Sequence, residues 1–157
     1  MSGIELVTED PAYAFGVLGN LVIAVTREPP SERSVRELAR VVGERHATHG
    51  DVSLLVAPRA ARPTLSQDAR RAILSSWEQL EPRITCCAVL FRATGFVGAI
   101  QRSLVTAVMN LRKSTLPVRA TSLPLEAAEF ITRYDASLGA PEPLGTALSE
   151  FVSRYEA

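Results

Sequence analysis

Short, almost unbroken apolar runs alternate in this chain with longer stretches whose apolar residues recur at helical spacing. That alternation restricts the fold more than any other feature. A run such as Ile84-Thr-Cys-Cys-Ala-Val-Leu-Phe91 has little to turn toward water, so it belongs in a strand covered on both faces. In the stretches between, apolar residues at i, i+3, i+4 and i+7 fall on one side of a helix. Strands separated by helices of roughly 10 to 17 residues are joined by right-handed crossovers, which give a mainly parallel sheet with helices over its faces.

The chain begins this pattern with a hairpin. Tyr13–Leu18 and Leu21–Thr26 flank Gly19-Asn20, a pair that accepts the positive φ angles of a two-residue turn. Ile4–Thr8 either adds a short edge strand or frays. Pro29-Pro30 breaks the chain and Ser31 can cap a helix, whose stripe is Val35, Leu38, Ala39 and Val42 and whose stop is Gly50. Val52–Ala57 is the next strand. Thr64 or Ser66 caps a second helix, with Ala69, Ile73, Trp77 and Leu80 as its apolar edge and Pro82 as its end.

Ile84–Phe91 is expected at the centre of the sheet. Phe96–Arg112 has polar residues only along the narrow line of Arg102, Ser103, Thr106 and Asn110, so a helix there must be broadly buried. Pro117–Thr121 is a short last strand and Leu125–Tyr134 an amphipathic helix. Gly139–Pro143 reads as a linker, and Leu144, Leu148, Phe151 and Tyr155 mark a final helix.

The expected fold is therefore α/β: a mainly parallel mixed sheet of about five strands with an N-terminal hairpin. The order is β-β-α-β-α-β-α-β-α plus a C-terminal helix. At 157 residues one domain suffices, here 1–138, with 139–157 as linker and appended helix.

This order resembles the anti-sigma-factor antagonist (STAS) fold over roughly Tyr13 to Tyr134. The likeness is carried by the Gly19-Asn20 hairpin, the Pro29-Pro30-Ser31 start of the first helix, and the strands Val52–Ala57, Ile84–Phe91 and Pro117–Thr121. It is a likeness of topology, not of motif. The family's phosphoswitch is an Asp-Ser-Ser-Gly-like turn after the third strand. Here that stretch reads Pro58-Arg-Ala-Ala-Arg-Pro-Thr64-Leu-Ser66, without the acid or the glycine, so no phosphorylation site is carried over. The resemblance implies a non-enzymatic regulatory or scaffolding module that binds a protein partner through the edges and helix starts around that turn. Relatives of similar topology include lipid-carrier-like domains. The alternative reading is thus a carrier of an apolar, lipid-like ligand between the sheet and the Phe96–Arg112 helix.

Charge agrees with a partner-binding surface. Seventeen basic residues balance seventeen acidic ones, so net charge steers the chain toward neither nucleic acid nor membrane. Yet residues 52–119 hold ten bases against three acids, while the flanking segments are acidic. A basic middle between acidic ends can be self-complementary, or can be a plain solvated surface. The candidate partner-binding residues are Arg59, Arg62, Thr64, Ser66, Arg70, Arg71, Arg92 and Thr94. Thr94-Gly95 could also present backbone N–H groups to an anion, or cap a helix. No aromatic ring stands among Arg59, Arg62, Arg70 and Arg71, so a base-stacking platform is missing and nucleic acid is not expected.

The apolar surplus in Phe96–Arg112 and Leu144–Tyr155 either closes one core, or mediates self-association as a homodimer or docks a partner helix. The residues that would mediate self-association are Val97, Leu104, Val108, Leu111, Leu148 and Phe151. No catalytic triad order, phosphate loop, dinucleotide fingerprint or paired-carboxylate cluster is present, so no catalytic residue and no cofactor is expected. Cys86 and Cys87 adjoin in a strand, face opposite ways and read as buried structural thiols. His46 and His49 have a chelating i, i+3 spacing, but their place near a helix C-terminus favours a capping or solvated role, and no metal is expected. With no charged leader before an apolar run and no stretch of roughly 20 apolar residues, the expected setting is cytoplasmic, without membrane insertion.

Overall fold

A computed structural model describes residues 3–28, 31–59, 67–91 and 116–156. Strands β1 (Glu5–Asp10), β2 (Tyr13–Leu18) and β3 (Leu21–Thr26) come first, then helix α1 (Glu32–His49) and β4 (Val52–Pro58). Helix α2 (Gln67–Leu80) leads through a 3-10 turn at Glu81–Arg83 into β5 (Ile84–Leu90). After β6 (Val118–Thr121) come α3 (Pro124–Tyr134), a 3-10 turn at Ala136–Leu138 and α4 (Pro141–Tyr155). The expected helix over Phe96–Arg112 lies outside the described residues.

The strands form one six-stranded sheet in which spatial order equals chain order, β1-β2-β3-β4-β5-β6. The first three are antiparallel and the last four run parallel. Gly19 turns the β2–β3 hairpin at φ 55°, the left-handed conformation that the Gly-Asn pair foretold. β3 lies between β2 and β4, and Leu21 through Val25 are all fully buried. The Leu, Val and Ile side chains among them each contribute roughly 1.5–3 kcal/mol by leaving water. An apolar strand in this position is stable only because both of its faces are covered.

Strand alternation sorts the core into two layers. Tyr13, Phe15, Val17, Val22, Ala24, Leu54, Cys87, Val89 and Phe91 face α1 and α2, meeting Ala39, Val42, Trp77 and Leu80. Leu21, Ile23, Val25, Leu55, Ala57, Ala88 and Leu90 face α3 and α4, meeting Ala128, Ile131, Leu144, Leu148 and Val152. α1 and α2 thus cover the same face. Crossovers of one hand must do this when each new strand is added on the same side of the last.

Local signals account for the helix ends. Ser31 Oγ accepts from Ser34 N (3.1 Å) and Ser34 Oγ accepts from Ser31 N (2.9 Å), a reciprocal cap that fixes the start of α1. Gly50 stops that helix at φ 82°, its N–H donating to His46 O at 2.9 Å.

One open alternative is settled and two expectations need correction. The polar stretch after Ile4 does not fray. It forms β1, with register Glu5↔Val17 and Asp10↔Tyr13, because an edge strand needs only one paired side and can leave its side chains in water. β5 lies inside the sheet but next to the β6 edge rather than at its centre. Its unbroken apolarity records two covered faces, not its rank in the sheet. The stretch from Gly139 to Pro143 is a linker for only two residues, because Pro141 opens α4 and Pro143 sits in its first turn. There the missing N–H groups would have had no helical acceptor. That helix helps to form the layer over one face of the sheet, with Leu144, Leu148 and Val152 fully buried, rather than hanging from a finished domain.

Candidate functional site

Open α/β sheets usually bind ligands where strand order reverses, since adjacent crossovers there diverge to opposite faces and open a crevice. In β3-β4-β5-β6 no reversal occurs and α1 and α2 share a face, so the described sheet has no such crevice between them.

On α1 the charges are mutually satisfied. Arg36 pairs with Glu32 at 2.8 Å, and Arg40 pairs with Glu37 at 2.5 Å and with Glu44 at 2.8 Å. The Arg40 guanidinium holds the Glu37 carboxyl below its usual range by direct hydrogen bonding. Arg33 reaches Asp10 at 2.6 Å. Arg33, Arg36 and Arg40 have thus found carboxylates of their own chain, while Arg45 Nε donates to the Gly19 carbonyl at 2.7 Å.

The end of β4 and the body of α2 differ. Arg59 follows β4, its backbone N–H continuing the ladder to Thr26 O at 2.8 Å while its side chain is exposed. Arg70 and Arg71 are exposed on the first turns of α2. Among the described residues none of these three has an ion-pair partner. Of the other sequence-derived candidates, Arg62, Thr64, Ser66, Arg92 and Thr94 lie outside the described residues, so the structure shows only that Arg59, Arg70 and Arg71 are each exposed.

The self-association candidates divide similarly. Val97, Leu104, Val108 and Leu111 lie outside the described residues. Leu148 and Phe151 are packed into their own chain's core at 0% and 5% exposure, which leaves them no apolar surface for a second copy to cover.

At the opposite end of the parallel strands sits a small polar group that sequence reasoning missed. Ser53 is buried in β4 directly opposite Cys86 of β5, and its Oγ lies 3.5 Å from Thr85 Oγ1. Burial pushes the Cys86 thiol upward, hydrogen bonds from Ser53 and Thr85 oppose this, and the Asp135 charge adds to the rise. Asp135 closes α3. Its Oδ1 accepts from Ser137 N at 3.1 Å, while Oδ2 is buried with no hydrogen-bond partner. Burial, with the neighbouring Cys86 second, pushes Cys87 up to about 12. Both thiols are therefore protonated near neutrality, and a protonated thiol is a poor nucleophile and a poor metal ligand. The one signal available in sequence was Ser53 itself, a lone hydroxyl inside an otherwise apolar strand.

His46 lies 3.3 Å from Asp51 and His49 Nδ1 lies 2.7 Å from Thr48 Oγ1, so each histidine has a local partner. Among the described residues no group of three or more His, Cys, Asp or Glu side chains could hold a metal ion, and no helix is long and apolar enough to cross a membrane. No protein-family model, curated protein or solved structure matches this chain.

Proposed function

We propose that this chain is a non-enzymatic regulatory or scaffolding module, STAS-like in layout. It acts by binding another protein through the arginine-bearing rim formed by the end of β4 and the first turns of α2. The observation that carries this reading is the contrast in charge pairing: among the described residues Arg59, Arg70 and Arg71 face water without a carboxylate, while Arg33, Arg36 and Arg40 of α1 are paired with carboxylates of their own chain. Exposed guanidiniums suit an acidic protein surface, because each can bond a carboxylate through two parallel N–H groups. The STAS-like part of the reading is supported by the hairpin and the parallel strands after it, the element order on which the resemblance rests. A reducing, cytoplasmic setting suits the two free, buried thiols.

The test is comparative capture. The wild-type chain is expected to retain a protein partner whose binding weakens with added salt. Arg59→Glu, Arg70→Glu and Arg71→Glu together should abolish it, and Arg36→Glu on α1 should not. Equal capture by wild type and the triple variant overturns the proposal. Native mass spectrometry of the purified chain supplies the other arm, since a co-purifying apolar ligand would favour the carrier reading instead.

A further inference from the structure

We propose that Arg27 is a latch tying the C-terminal helix to the N-terminal edge strand, and that releasing it lets β1 exchange onto β2 of a second copy of this chain. Arg27 directly follows β3, and its side chain is only 13% exposed. Its guanidinium donates in three directions: Nε to Tyr155 O at 2.5 Å, Nη1 to Asp10 O at 2.8 Å and Nη2 to Glu9 Oε2 at 2.8 Å. Its backbone N–H donates to Ala12 O at 2.8 Å. Tyr155 is the last residue of α4, where helix carbonyls have no partner further along the chain. One side chain therefore joins the end of α4, 128 residues further along the chain, to the end of β1.

Away from Arg27, β1 is held by its ladder with β2, by the Arg33–Asp10 pair at 2.6 Å and by Ile4 packed just before it, while its own side chains add little. Glu5, Leu6, Val7 and Glu9 are exposed, and the register with β2 is interrupted between Leu6 and Thr8. Behind it, β2 is buried from Tyr13 to Val17, so losing β1 would bare a row of unpaired backbone groups on a strongly apolar strand. The strand best matched to that edge is another β1, because Glu5↔Val17, Thr8↔Phe15 and Asp10↔Tyr13 form equally well between two copies. The hinge is Pro11-Ala12. Proline there limits the freedom lost when so short a turn straightens.

The experiment uses the whole chain carrying Arg27→Met, and separately Glu9→Gln, which removes one arm at the surface. Hydrogen exchange is monitored at β1 and at the interior strands β4 and β5, with sedimentation over a range of concentrations. In Arg27→Met, β1 is expected to exchange about tenfold faster, with β4 and β5 within about twofold of wild type. A dimer should grow with concentration, and β1 should regain protection in the isolated dimer. Glu9→Gln should show a smaller acceleration confined to β1. Unchanged β1 exchange in both variants overturns the latch. So does equal acceleration in every strand, which would make Arg27 an ordinary stabilising contact. A loosened β1 in a chain that stays monomeric overturns the exchange. Should Arg27→Met fail to fold, Glu9→Gln decides alone, and wild-type exchange at β1 then sinks the proposal.

Discussion

The two faces of the sheet are packed in opposite ways. Against α1 and α2 the sheet presents large side chains: Phe15 stacks on Tyr13 with ring centroids 4.5 Å apart, and Trp77 and Phe91 lie in the same layer. Against α3 and α4 it presents aliphatic ones, Leu21, Ile23, Val25, Leu55 and Leu90 beside the small Ala57 and Ala88, with Ala127 and Ala128 facing them from α3 and Gly16 beneath Phe151. The two helices also meet closely, since a Cβ added at Gly145 would lie 3.2 Å from Leu125 Cα. One face is filled by bulk and the other by approach. Holes should therefore be costly on the first face and insertions costly on the second.

Adjacent residues of β2 test this directly, because Phe15 points to the first face and Gly16 to the second. Phe15→Ala should lose about 3–5 kcal/mol by leaving a cavity among fixed neighbours. Gly16→Val should lose about 3 kcal/mol for the opposite reason. Its Cβ would fall 2.5 Å from Phe151 Cζ and 2.7 Å from Ile4 Cγ2. Urea unfolding measures both. Adding Phe151→Val should restore part of the stability of Gly16→Val and none of that of Phe15→Ala. Rescue of both, or of neither, would show that the layers are not separate.

Much of this architecture was legible because it is written locally. The Gly19-Asn20 turn, the Ser31 cap and the Gly50 stop each depend on residues a few positions apart, and the alternation within β3 and β4 needs no knowledge of the partner strand. What escaped depends on distance along the chain. Pro141 and Pro143 look like a linker until the helix behind them is known to be held by its buried face. The role of Arg27 exists only once residue 155 is brought beside it. The same holds for the site. That Arg59, Arg70 and Arg71 are exposed could be read from a charge count, but that α1 keeps its own charges paired while they do not is a matter of side-chain reach.

The cysteines sharpen the comparison, since Cys87 belongs to the layer under α1 and α2 while Cys86 lies beside Ser53 and Thr85. Both thiols are raised on folding, Cys87 from 9.0 to about 12. Between those values the unfolded chain has lost the Cys87 proton and the folded chain has kept it. This contribution to stability is complete below the ordinary thiol range and is lost as pH rises toward the folded value. The slope is up to about 1.4 kcal/mol per pH unit for one thiol. Urea midpoints should therefore fall with rising alkalinity, and Cys87→Ala should flatten that fall more than Cys86→Ala. An equal effect from the two variants would mean that the hydroxyls of Ser53 and Thr85 do nothing to moderate the burial of Cys86.

The smallest expected effect on stability belongs to the surface that matters most for function. Arg59, Arg70 and Arg71 have no partner to lose among the described residues, so reversing all three to Glu should change folding stability by no more than about 0.5 kcal/mol. Reversal of Arg40 should be felt more, because Glu37 and Glu44 would then face a like charge at the distances now bridged. Thermal unfolding of the two variants side by side decides the matter. If the triple reversal destabilises the chain more than the single one, then those guanidiniums serve the chain's own structure, and the contrast on which the binding proposal rests disappears. If it leaves the fold intact, any loss of capture in that variant has to be a loss of contact with the partner.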